Sequence, residues 1–135
     1  MDIVLQVGVK VLLKNKDGKY LLLKRSLVKY PDIEGRWDIV GGRINPGDTL
    51  IDNLKREVKE ETNLTLERAP KLVAAQDILR IFGKHVVRLT YIAEVEGEPV
   101  LDTEENEEFG WFSLEEIKNL SDVDFYFKQI LDTIV

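Results

Sequence analysis

The chain has 135 residues, 44% of them hydrophobic and 33% charged, the makeup of one ordinary globular domain with a single core spanning residues 1–135. It has no cysteine, which excludes disulfides and thiolate metal sites and fits a reducing compartment. Its net charge of −6 argues against a nucleic-acid polymer as partner and leaves room for a small phosphorylated ligand whose charge a metal bridges.

In chain order, Met1-Asp2-Ile3 lacks the basic start of a signal peptide, and no apolar run reaches the ~18 residues of a membrane span. A cytoplasmic protein without membrane contact is expected. Residues 3–14 are rich in Val and Leu and read as a long strand. Asn15-Lys16-Asp17-Gly18 reads as a hairpin turn leading into a second strand over 19–25. A polar loop follows to Gly35, then a short strand, Trp37-Asp38-Ile39-Val40, that ends at Gly41-Gly42. Pro46-Gly47 marks a turn, and Thr49 or Asp48 caps a helix reaching about Thr62, with Asn63 ending it in the left-handed region.

Residues 72–82 and 85–96 read as a second hairpin joined at Gly83-Lys84. Residues 103–108 form an acidic loop, and Phe109-Gly110-Trp111-Phe112 a short strand. Ser113 caps a brief helix with Glu116 at capping-box spacing. A closing helix is expected over 122–135, with Phe125, Ile130, Ile134 and Phe127 facing inward. Strands and helices mixed along one domain predict an α/β fold, a mixed β-sheet covered by helices.

The helix after Pro46-Gly47 carries the chemistry. Leu50, Ile51, Leu54 and Val58 form its apolar stripe, and Glu57, Glu60 and Glu61 lie together on one flank of that stripe. At ~5 Å and an effective dielectric of ~20, each like-charge pair costs about 3 kcal/mol. A hard divalent cation held by oxygen ligands reverses that sign.

From Gly42 to Leu64 the chain resembles the signature of the Nudix hydrolases: Gly42, Arg56, Glu57, Val58, Glu60, Glu61 and Leu64 match it in type and spacing. Asp48 stands where the pattern has Glu, and Asn63 where it has Gly. The resemblance implies a Nudix-type α/β/α sandwich that cleaves a diphosphate linkage in a small nucleotide. It implies that Glu57, Glu60 and Glu61, with a backbone carbonyl near Gly41, hold Mg²⁺ or Mn²⁺, while Arg56 steers the carboxylates. A base or extra ligand would come from Glu57 or from Glu98, Glu104 or Glu105.

Arg25 and Arg43 suit bidentate phosphate contact. Asp124 falls where relatives that cleave oxidised guanine nucleotides carry a base-reading Asn, but it reads first as the cap of the last helix. The landmarks of ADP-ribose and dinucleoside-polyphosphate subfamilies are missing beyond the signature, which leaves a nucleoside triphosphate, oxidised ones such as 8-oxo-dGTP included, as the expected substrate. A nucleotide sugar, ADP-ribose, or a non-catalytic nucleotide-binding module are the alternatives. His85 reads as a strand residue beside a turn, Trp37 as pocket wall or core, and Trp111 as core.

Overall fold

The structure, a computed structural model, describes residues 2–134. Its centre is a parallel pair of long strands, β1 (Val4–Lys14) and β6 (Lys84–Glu94), in register from Val4↔Lys84 to Lys14↔Glu94. The other pairings between strands are antiparallel. On its second edge β1 meets β4 (Val40–Arg43) and, at Lys14↔Tyr20, β2 (Tyr20–Arg25). β2 pairs with β3 (Trp37–Asp38) and β7 (Asn106–Phe112), and β5 (Lys71–Ile78) closes the far side against β6. The helices are α1 (Leu50–Thr62), α2 (Leu114–Asn119) and α3 (Phe125–Ile134).

Alternation along β1 creates two cores. Val9, Val11 and Leu13 pack with Leu54 and Val58 of α1, while Leu12 points the other way to Ile117 of α2 and Phe127 of α3. Each fully buried aliphatic contributes about 1.5–3 kcal/mol. The expected mixed sheet between helices is present.

Local rules set the ends of the helices. Thr49 accepts from Asp52 N at 3.0 Å, and Asn63 ends α1 at φ 59° with its N–H on Lys59 O. Ser113 and Glu116 form a complete capping box. Gly18, at φ 77°, makes the first turn.

Four boundaries differ from expectation. The strand at Trp37 is broken after Asp38 and resumes through the glycines, because Gly41 and Gly42 pair with Lys10 and Val9 of β1. The second hairpin is shorter: β5 stops at Ile78, and Leu79 and Phe82 are exposed in the connection. β7 begins at Asn106, inside the expected acidic loop, since β2 offers it a partner edge. α3 begins only at Phe125, because Asp122 adopts φ 60° and Asp124 caps the helix through Phe127 N at 3.0 Å. Phe125 is therefore 51% exposed rather than inward, whereas Phe127 and Ile130 are buried and Ile134 packs partly against the core. Val135 lies outside the described residues.

Candidate active site

β4 and α1 meet through two glycines. Gly41 has φ 145°, and a Cβ there would stand 2.0 Å from Val9 O, so no other residue fits. Its N–H donates to Glu61 Oε2 at 2.9 Å, tying the strand to the last turn of the helix. A Cβ on Gly42 would reach 2.9 Å from the Glu57 carboxylate, so Glu57 lies directly on the backbone of β4. Arg56 bridges Glu57 at 3.0 Å and Glu60 at 3.2 Å, while its own side chain stays off the cavity wall. Asn53, buried in α1, accepts from Asn45 N at 2.8 Å and from Arg56, which fixes the approach of the preceding loop.

Glu57, Glu60 and Glu61 line one cavity of about 770 Å³, together with Arg25, Gly41, Arg43, Glu105 and Asp124. Burial pushes the Glu61 carboxyl up to about 7, against the pull of Lys10 and the Gly41 N–H. Burial raises Glu57 as well, opposed by Arg56.

The opposite wall is the sheet. Asp38, 3% exposed, accepts from Lys10 Nζ at 3.0 Å and Arg25 Nη2 at 3.1 Å, and meets Arg88 Nη2 at 3.4 Å. Burial alone would raise its carboxyl, but the three cations hold it well below the usual carboxylate range. Arg88 also donates to Asp124 at 2.9 Å, so Asp124 both caps α3 and faces the cavity. Sequence reasoning missed Lys10, Asp38 and Arg88. The signal available was a single charge inside each apolar strand, at Lys10 between Val9 and Val11, Asp38 between Trp37 and Ile39, and Arg88 between Val87 and Leu89.

The loops sort the remaining candidates. Glu105 lines the cavity but accepts from Lys29 and from Tyr30 Oη at 2.5 Å. Burial would raise it, and those two bonds outweigh burial and hold it below its ordinary value. Glu98 accepts from Trp111 Nε1 at 3.3 Å, and neither Glu98 nor Glu104 lines the cavity. Arg43 makes no ion pair among the described residues, and burial pushes its guanidinium down. Trp37 is core, edge-on to Phe112 at 5.4 Å; Trp111 is only partly buried. His85 sits at the start of β6 against Asp77 at 2.7 Å.

Among the described residues no three acidic or histidine side chains are already gathered into one metal-holding cluster. Arg56 and the Gly41 N–H hold the three carboxylates instead, and the like charges still act on one another: Glu60 helps to raise Glu57, and Glu57 helps to raise Glu61. The donor set nonetheless fits a divalent ion. It is all hard oxygen, two of the carboxylates are desolvated by burial, and the missing Cβ of Gly42 lets the Glu57 carboxylate lie against the backbone of β4.

Helix-borne carboxylates facing strand-borne guanidinium groups across one cavity, under a mixed sheet, define the class: an α/β protein of the Nudix hydrolase type. The NUDIX domain model matches residues 4–132, and the chain belongs to that family, whose members generally use divalent metal ions. It is 28% identical over 113 residues to an ADP-ribose pyrophosphatase of Methanocaldococcus jannaschii, covering 78% of this chain and 61% of that one. It is 37% identical over 68 residues to the nucleoside triphosphatase NudI of an Enterobacter species, covering 48% of this chain and 46% of that one. The chain thus spans about half to three-fifths of these curated relatives. Among solved structures, the MutT protein of Methanosarcina mazei Go1 superposes with a TM-score of 0.82 at 27% identity, covering 98% of this chain and 94% of that one. A MutT NUDIX hydrolase of Burkholderia pseudomallei gives the same score and identity, covering 98% and 99%. No helix among the described residues is long and apolar enough to cross a membrane.

Proposed function

We propose that this chain is a metal-dependent pyrophosphohydrolase that cleaves the diphosphate linkage of a nucleoside triphosphate, releasing a monophosphate and pyrophosphate. The observation that carries the reading is the meeting of Glu57, Glu60 and Glu61 with Arg43 and Arg25 in one cavity. Oxidised nucleotides such as 8-oxo-dGTP belong to the substrate class.

Glu57, Glu60, Glu61 and the carbonyl of Gly41 would hold the ion, and an all-oxygen set suits Mg²⁺ or Mn²⁺. When bound, such an ion supplies charge neutralisation at phosphate oxygens and an acidified water. Arg56 orients Glu57 and Glu60 from behind. Arg43, free of acidic partners among the described residues, binds phosphate oxygen, and Arg25 adds a second guanidinium whose direction Asp38 fixes. Of the weighed bases, Glu98 and Glu104 lie off the cavity and Glu105 is engaged by Lys29 and Tyr30. Glu57, resting on Gly42 beside the cavity, is the remaining one.

A second reading, ADP-ribose or a nucleotide sugar as substrate, is favoured by the likeness to the M. jannaschii pyrophosphatase. A panel of nucleoside triphosphates, ADP-ribose and nucleotide sugars with Mg²⁺ and Mn²⁺ separates them by product. Pyrophosphate is expected from triphosphates. Release of sugar phosphate alone selects the second reading, and tight binding with no product from any nucleotide makes the chain a binding module.

A further inference from the structure

Lys10, Arg25, Arg43, Arg80 and Arg88 are the cations that line the cavity. Lys10, Arg25 and Arg88 are spent on Asp38 and Asp124, while Arg43 and Arg80 have no acidic partner among the described residues. These last two belong to opposite ends of the sheet wall. Arg43 of β4 pairs with Gly8 of β1, and Gly8 with Arg88 of β6. Ile78, the end of β5 and two residues before Arg80, pairs with Val86, two residues before Arg88. Three strand spacings of ~4.8 Å and two residues of ~3.3 Å put the backbone of Arg43 about 16 Å from that of Ile78. A diphosphate bound near Arg43 leaves the Arg80 end to the rest of the substrate.

Arg80 is exposed, yet it is held in place. Its guanidinium lies 5.0 Å from the Tyr126 ring centroid and 5.2 Å from that of Phe125, and the two rings stand edge-on, 5.2 Å apart at 85°. Such contacts fix a guanidinium by its face and leave its N–H groups free. They also account for Phe125, 51% exposed at the start of α3: it lies off the cavity and backs Arg80. Gln76 Nε2 donates to Tyr126 O at 3.0 Å and to Gln129 Oε1 at 3.2 Å, which ties the beginning of α3 to β5. Lys84 N donates to Ile81 O at 3.1 Å and closes the connection that carries Arg80. Tyr126 and Ile81 line the cavity with Arg80, and Ile81 is 38% exposed. Asp124, the carboxylate two residues before Tyr126, is already taken by Arg88 and by Phe127 N. This end of the cavity therefore offers an aromatic ring, an aliphatic side chain and a planar cation.

We infer that Arg80 and Tyr126 form the seat of the nucleobase and recognise it by its ring face, so that the size of the base, and not the pattern of its edge, sets affinity. This rests on the proposed nucleotide reading and narrows it to purine nucleotides before pyrimidine ones. Bases stack on aromatic rings and on guanidinium planes, and such stacking tolerates any base because every base has a π face.

Calorimetric binding to the unaltered chain with Mg²⁺ compares adenosine, inosine and uridine monophosphates with ribose 5-phosphate, which has no base. Adenosine and inosine monophosphates should bind within about threefold of each other and at least tenfold tighter than ribose 5-phosphate, with uridine between. Ribose 5-phosphate binding as tightly as the purines, or no binding by any of the four, overturns the inference. Arg80→Ala alters an exposed side chain and should leave the urea midpoint within about 0.3 M. It should weaken adenosine monophosphate about tenfold, leave ribose 5-phosphate as it was, and raise KM for adenosine triphosphate more than it lowers kcat. Tyr126→Leu should act in the same way, and Tyr126→Phe, which keeps the ring, should not. If Arg80→Ala weakens ribose 5-phosphate in step with the purine, Arg80 reads phosphate and the base assignment falls. Monophosphate binding needs no turnover, so a base preference without hydrolysis of any triphosphate sinks the proposed activity alone, and hydrolysis without a base preference sinks this inference alone.

Discussion

Replacing Asp38 by Asn should destabilise the chain more than most surface changes combined. The substitution keeps the volume and the bond from Ile39 N at 2.7 Å, but removes the charge that Lys10, Arg25 and Arg88 share at 3.0, 3.1 and 3.4 Å. At an effective dielectric of ~20, one such contact is worth about 5 kcal/mol in gross Coulomb energy. Desolvation consumes most of that, and removing one partner of a buried pair costs about 3–5 kcal/mol net. With an m-value of about 1.5 kcal/mol/M, a 4 kcal/mol loss lowers the urea midpoint at pH 7 by about 2–3 M.

Acid gives the second readout. The folded-state pKa of Asp38 is depressed, so between it and the unfolded value of about 3.9 the unfolded chain binds more protons. The stability Asp38 contributes is complete above about pH 5 and is lost as pH falls through the folded value. The gap between wild type and Asp38→Asn should therefore be widest near neutrality and narrow below about pH 4. An unchanged midpoint at pH 7, or a gap as wide at pH 3 as at pH 6, would refute the buried-cluster reasoning.

Glu60→Gln should change stability by no more than about 0.5 kcal/mol, since Glu60 is exposed and holds only Arg56, yet lose most turnover and weaken Mg²⁺ binding roughly tenfold by titration; near wild-type turnover removes the metal assignment. Gly42→Ala places a methyl 2.9 Å from the Glu57 carboxylate, and the displaced Glu57 should cost up to about a hundredfold in kcat while urea melts show a loss of about 1–3 kcal/mol. Tyr30→Phe removes the hydroxyl that holds the 26–36 loop to Glu105 and should cost about 1 kcal/mol with KM rising more than kcat falls. His85→Ala loses only a surface contact with Asp77, so stability should stay within about 0.5 kcal/mol and turnover unchanged; a collapse in turnover with the fold intact would show that residue misread.

What was legible in the sequence was what short-range rules decide. Thr49, Asn63 and the Ser113–Glu116 box act within one helical turn of themselves, and each holds the place expected of it. The flank position of Glu57, Glu60 and Glu61 follows from helical geometry alone. Pairing across the sheet was not legible. Whether Gly41-Gly42 ends a strand or continues it depends on Lys10 and Val9, more than 30 residues earlier. Leu79-Arg80-Ile81-Phe82 has strand-like composition, yet β6 has already begun its ladder with β1, and the residues are left in the connection.

The net charge of −6 left room for a metal-bridged ligand, and the cavity gives that sign a location. On the α1 side Arg56 pairs with Glu57 and Glu60 while Glu61 is held by the Gly41 N–H, so three carboxylates stand against one guanidinium and that side is negative. Among the described residues, Lys10, Arg25 and Arg88 on the sheet side pair only with Asp38 and Asp124, and Arg43 adds a cation with no ion pair, so that side is positive. A free polyphosphate would be repelled by the first wall and drawn to the second. A divalent ion held by those carboxylates would cancel the net charge of the first wall, and phosphates would then no longer be repelled from it. Affinity for nucleotide should therefore depend on the cation far more than for a uniformly basic pocket, and stripping divalent ions with EDTA should weaken triphosphate binding more than monophosphate binding.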